Sequence, residues 1–225
     1  MTRLILAIVL LVCTCVPVLA GGAAKANPRT MAFPELKFQI PQVERKLLDC
    51  GMPVYLLRDA ELPLVSITAM VRTGSVYEPS GKAGLAGLTG QVMRSGGAGG
   101  MPPEKMDDEL EFMASSVESS IGSDMGMVSM SSLSRNLQQT LNIFASVLLK
   151  PDFSEKRVEM TRKQMIEALR RQNDDPKDIA GREIGKAIYR GHPLGVVPDF
   201  ASAAAITRSD MVVFHRRFYQ PGNMI

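Results

Sequence analysis

The stretch Gly81–Gly97, GKAGLAGLTGQVMRSGG, decides the fold. Leu85, Leu88, Val92 and Met93 recur at i, i+3, i+7 and i+8, a spacing that predicts a helix with one buried face. Gly84, Gly87 and Gly90 fall inside the same pattern. Each glycine costs a helix about 1 kcal/mol relative to alanine, so helix propensity did not select them. The SGGAGGMPP that follows is a glycine-rich connection. A phosphate-binding loop would end in Gly-Lys-Ser/Thr and would follow a strand; this segment follows a helix, so it reads as a plain loop.

N-terminal to this helix, LPLVSITAMVRTG sets Val65, Ile67, Ala69 and Val71 against Ser66, Thr68, Met70 and Arg72. That period of two predicts a strand with one buried face. ERKLLDCGMPVYLLRD has two short apolar runs around a Cys50-Gly51 turn, the pattern of a hairpin. C-terminal to the helix, PPEKMDDELEFMA opens with Pro and acidic residues, as a helix start does. SSVESSIG and DMGMVSMSSL read as strands. Ser134 is placed to cap a helix whose stripe is Leu137, Leu141, Phe144, Ala145 and Leu148. Ser154 opens a long charged helix over residues 155–172. NDDPKDIAGREIGKAIYRGHPLG and TRSDMVVFHRRFYQPGN supply two more, the last closed by Pro221. Residues 223–225, Asn-Met-Ile, then begin another strand. The order predicts an α+β domain, an antiparallel sheet covered by helices in two layers.

Residues 1–20 read as a secretory signal rather than part of the fold. Arg3 gives a basic start, Leu4–Val16 an apolar run too short for a span of about 20 residues, and Val18-Leu19-Ala20 a small-residue cleavage site. Residues 21–40, rich in Ala, Pro and Lys, read as a mobile arm, and 41–225 as the folded domain. The expected location is exported, periplasmic or extracellular, with no stable membrane span once the signal is removed. Loss of Cys13 and Cys15 with the signal leaves Cys50 alone, which excludes an internal disulfide. Of the 225 residues 45% are apolar, enough for a sizeable core; a formal charge of +3 with no basic stripe argues against nucleic acid as a partner.

Common hydrolytic constellations are missing. Zinc needs three or four His, Cys or carboxylate ligands, and the chain has two His, His192 in a turn and His215 on a helix where exposure beside Arg216 and Arg217 is expected. No G-x-S-x-G elbow is present. The pairs Asp107-Asp108 and Asp174-Asp175 sit at helix starts, where the helix dipole favours them.

Several stretches, in order, resemble the pitrilysin/insulinase family of zinc peptidases, which includes the mitochondrial processing peptidase. They are LDCGMPVYLLRDAELPLVSITAMVRTGSVYEPSGKAGLA, LKPDFSEKRVEMTRKQMIEALRRQNDDPKDIA, YRGHPLG and ITRSDMVVFHRRFYQPGNMI. The resemblance implies a metallopeptidase-like fold from about residue 47 to 225. It also implies that the helix after GLA is the one on which active members carry HxxEH, two zinc ligands and a general base. Aligned on KAGLA, those positions are Gly87, Gly90 and Gln91. The third ligand falls at Ala168 or its neighbour Glu167. A peptide-facing pair on an edge strand falls at Glu118 and Ser119.

With these replacements the expected cofactor is none, although active relatives hold zinc, and no intrinsic peptidase activity is expected. The resemblance implies a non-catalytic subunit that partners an active metallopeptidase chain carrying HxxEH and helps to hold peptide segments. The alternatives are a free-standing peptide-binding scaffold and an active zinc metallopeptidase with its ligands elsewhere. Family domains continue past the position of Ile225. The domain therefore reads as truncated at its C-terminus, and the chain alone is expected to be aggregation-prone.

Overall fold

The computed structural model describes residues 40–225. The expected signal and the arm through residue 39 lie outside the described residues. Gln42–Ile225 form one compact unit. It opens with an antiparallel hairpin of β1 (Glu44–Leu47) and β2 (Pro53–Leu56), with exposed Cys50 in the turn.

The main sheet has the order β3-β5-β4, all antiparallel, built from β3 (Leu64–Val71), β4 (Ser116–Ile121) and β5 (Gly126–Leu133). Pairing Ala69 and Ser119 with Val128, and Ile67 and Val117 with Met130, puts the apolar alternates on one face. Ala69, Val71, Val117, Ile121, Val128 and Met130 are buried there. The opposite face keeps Met70 and Met127, which are cross-strand partners, exposed. Residues after the last helix return to the free edge of β3: Met224 bridges Val71, and Ile225 and Met70 exchange N–H···O bonds of 2.8 and 2.9 Å. The expected further strand thus begins antiparallel to β3.

Among the described residues there are seven helices: α1 (Leu85–Ser95), α2 (Pro103–Phe112), α3 (Leu137–Leu149), α4 (Glu155–Arg171), α5 (Pro176–Ile188), α6 (Phe200–Ala205) and α7 (Arg208–Phe218). The central one is α1, packed on β4, α4 and α7. It starts at Leu85, the first residue of its apolar period, and Gly84, expected inside the helix, is its N-cap, with φ of 96°, a left-handed conformation that glycine adopts without steric cost. Glu78, upstream in the loop, supplies the cap. Its carboxylate accepts from Gly84 N–H at 3.0 Å and Ala86 N–H at 2.7 Å, so a negative group meets the positive helix end.

Two further expectations are corrected. Ser134 does not cap α3; it opens a 3-10 turn, and Asn136 is the N-cap, its side chain turned to donate to Met113 O at 2.9 Å. His215 is not on an exposed face: it is 6% exposed, between α7 and the end of α3. Its Nε2–H donates to Leu148 O at 3.0 Å and its ring stacks on Tyr219 with centroids 4.5 Å apart. The flanking arginines misled because the helix buries the stripe Met211, Phe214, His215 and Phe218 between them.

Candidate functional site

One stripe of α1 carries exposed Gly87 and Gln91 and half-buried Arg94 and Ser95, and two grooves meet on it. One, of about 460 Å³, lies against α4 and is lined by Gly87, Leu88, Gln91, Thr161, Met165 and Ala168 among others. The second, of about 370 Å³, lies against β4 and is lined by Gly87, Gln91, Arg94, Ser95 and residues 118–121. Gly87 and Gln91 are common to both, as residues four apart on one helix face must be. On α4 it is Ala168 that lines the first groove, not Glu167; the Glu167 carboxylate pairs with Arg170 at 2.5 Å.

Gly90 is different. It is buried against β4, where an added Cβ would lie 2.4 Å from Ile121 N and 2.8 Å from the Ser120 carbonyl carbon. Glycine here is a packing requirement set by the approach of a strand backbone. A Cβ at Gly87 would meet nothing within 4 Å, and nothing in the structure explains glycine at that position.

Among the described residues β4 has a strand partner on one side only, β5. The hairpin closes with Gly122 N–H donating to Met125 O at 2.8 Å. Alternation of the antiparallel ladder then turns the backbone groups of Val117, Ser119 and Ile121 to the outer edge. One of them is already engaged: Arg94 Nε donates to Val117 O at 2.9 Å, while Arg94 Nη2 pairs with Asp107 Oδ1 at 2.6 Å. Ser119 is half-buried, its hydroxyl 3.8 Å from Met93 Sδ, and Glu118 is exposed on the groove rim. Sequence reasoning missed Arg94, because its role depends on a carbonyl 23 residues away.

The family model described as Insulinase (Peptidase family M16) matches residues 54–197, well over half of the chain. The chain belongs to the insulinase family. This insulinase-family chain is 30% identical over 95 residues to a zinc protease of Mycobacterium leprae, a match covering 41% of the chain and 21% of the relative. It is 25% identical over 165 residues to the mitochondrial-processing peptidase subunit alpha of Pongo abelii, covering 71% and 31%. Its fold matches the crystal structure of a peptidase M16 inactive domain from Pseudomonas fluorescens with a TM-score of 0.77 at 25% identity, covering 81% of the chain and 45% of that structure. The chain thus spans well under two thirds of the length of these relatives.

Relatives named zinc proteases raise the question of whether these residues fit a zinc ion. They do not. Gly87 and Ala168 offer no donor atom and Gln91 offers one amide, whereas zinc takes three or four imidazole, thiolate or carboxylate ligands. Among the described residues no group of three or more His, Cys, Asp or Glu is placed to hold a metal. His192 accepts from Leu194 N–H in its own turn at 3.2 Å, and His215 is committed to Leu148 O. No step through a metal-activated water follows from this arrangement. Among the described residues no helix is long and apolar enough to cross a membrane.

Proposed function

We propose that the protein is an exported, non-catalytic insulinase-family domain that partners an active metallopeptidase subunit carrying HxxEH, and that it helps to wall the chamber and hold peptide segments along β4. One observation carries the proposal. Gly87, Gln91 and Ala168, which the resemblance aligns with the zinc ligands, lack donors suited to zinc, and Gly90, which it aligns with the general base, has the backbone of β4 pressed against it. The fold is kept while the chemistry is not, as expected of a surface retained for binding. The similarity to a domain described as inactive supports the same reading, as does that to a protein described as a subunit.

Peptide contact at Glu118 and Ser119 is supported by the free edge of β4, since an extended segment can add to an edge strand through backbone hydrogen bonds. Export rests on Arg3, the apolar run Leu4–Val16 and the Val18-Leu19-Ala20 site. The test is co-purification of the tagged full chain from its own cells, followed by peptidase assays of each component and of the mixture. The expected result is a separate chain carrying HxxEH, with cleavage that needs it. Cleavage by this chain alone would overturn the proposal. Isolation free of any such subunit would favour the scaffold reading.

A further inference from the structure

We propose that Arg94 is a latch on the outer edge of β4, closing it to strand addition until the guanidinium is displaced. This rests on the reading of β4 as a peptide-holding edge and adds its regulation. Strand addition uses the outward N–H and C=O of alternate residues, here Val117, Ser119 and Ile121. Arg94 Nε fills the Val117 carbonyl at 2.9 Å. At the other end, Ile121 N lies against α1 at Gly90, so close that a Cβ there would be 2.4 Å away. Among the described residues that leaves Ser119 open between them, and one residue's pair of hydrogen bonds does not hold an extended segment.

The latch is built from a side chain that is 17% exposed and held by a carboxylate 56% exposed. Arg94 therefore sits over the strand rather than in solvent, and the ion pair with Asp107 keeps it there at 2.6 Å. An unguarded edge invites pairing with any extended chain, and a charged side chain laid across it blocks that. Release is local. Swinging Arg94 away exposes the Val117 carbonyl, and an incoming peptide N–H replaces the bond that is lost. A groove of about 370 Å³, lined by Arg94 and residues 118–121, lies beside this edge.

The test is the affinity of the full-length chain for fluorescein-labelled β-casein, a disordered polypeptide, measured by anisotropy at low and high salt. Arg94→Leu keeps the apolar stem and removes the latch; about tenfold tighter binding than wild type is expected. Asp107→Asn, a change at an exposed position, frees Arg94 without touching the groove and should give a smaller gain in the same direction. High salt should tighten the wild type, by screening the Arg94–Asp107 pair, and leave Arg94→Leu without that gain. Adding Ser119→Pro to Arg94→Leu removes an outward N–H that edge strands can lose, and should abolish the gained binding. Equal binding by wild type, Arg94→Leu and Asp107→Asn would overturn the latch and leave peptide holding intact. Absence of binding by all of them would overturn both. A gain that survives Ser119→Pro would overturn the latch by placing the peptide elsewhere.

Discussion

Gly90 on α1 and Ile121 on β4 are in such close backbone contact that no side chain fits between them: a Cβ on Gly90 would lie 2.4 Å from Ile121 N. Gly87, three residues earlier on the same helix, has open space where its Cβ would be. The two glycines therefore respond oppositely to alanine. Gly87→Ala should stabilise by about 1 kcal/mol through helix propensity. Gly90→Ala should destabilise by about 1–3 kcal/mol, because the strand backbone must move. Thermal unfolding of the two variants checks this, and equal shifts in Tm would contradict the geometry.

The same contact separates the restoration of ligands from the restoration of a base. Gly87, Gln91 and Ala168 line one groove and have room. The triple variant Gly87→His/Gln91→His/Ala168→Glu should acquire a zinc ion that a chelator removes, and should still fail to hydrolyse an unfolded peptide. Adding Gly90→Glu should lower stability without conferring cleavage, since the new side chain must displace β4. Robust hydrolysis by the quadruple variant would show that β4 yields more readily than its packing implies.

His215 gives stability a pH dependence. Burial lowers its pKa from 6.5, its hydrogen bond to Leu148 opposes this, and nearby Arg216 adds to the lowering. The unfolded chain therefore binds this proton at a higher pH than the folded one. The His215 contribution is complete above pH 6.5 and is lost as pH falls from there through the lowered folded value. Chemical denaturation from pH 8 down to about pH 5 should show this loss. His215→Gln, which keeps a donor for Leu148 O, should flatten that slope.

Tyr219 presents a contrasting buried group. Its hydroxyl is buried without a hydrogen-bond partner among the described residues, as is Thr73 Oγ1, and burial alone pushes the Tyr219 pKa up. A buried unsatisfied hydroxyl costs about 1–3 kcal/mol. Tyr219→Phe keeps the ring that stacks on His215 and should leave stability equal or higher. A loss of more than about 1 kcal/mol would reveal a bond to that hydroxyl.

Much of this architecture is legible in the sequence because it rests on local period and punctuation. The alternation from Val65 to Val71 gives β3, and Leu85, Leu88, Val92 and Met93 give α1, whatever packs on them. Ser154 reads as a cap because the hydroxyl acts within its own turn, accepting from Arg157 N–H. Elements that depend on partners far along the chain are not legible in this way. Glu78 caps the helix that follows Gly84 by reaching across a loop, and His215 is held inward by a carbonyl of α3. The short helix α6 carries its signal in Asp199 and Ser202, a capping box over only six residues, too brief for apolar period to mark. In the site, the residue types at Gly87, Gly90 and Gln91 are read directly from GLAGLTGQ. The reason for Gly90 and the engagement of Arg94 needed β4 in place.

On the proposed function, the α1–α4 groove binds no zinc and cleaves nothing by itself. Its most direct test is elemental analysis of the purified full-length chain after incubation with equimolar zinc and gel filtration, with the same sample assayed on an unfolded peptide. The expected result is zinc far below one per chain and no cleavage. One zinc per chain, with cleavage abolished by a chelator and restored by zinc, would contradict it.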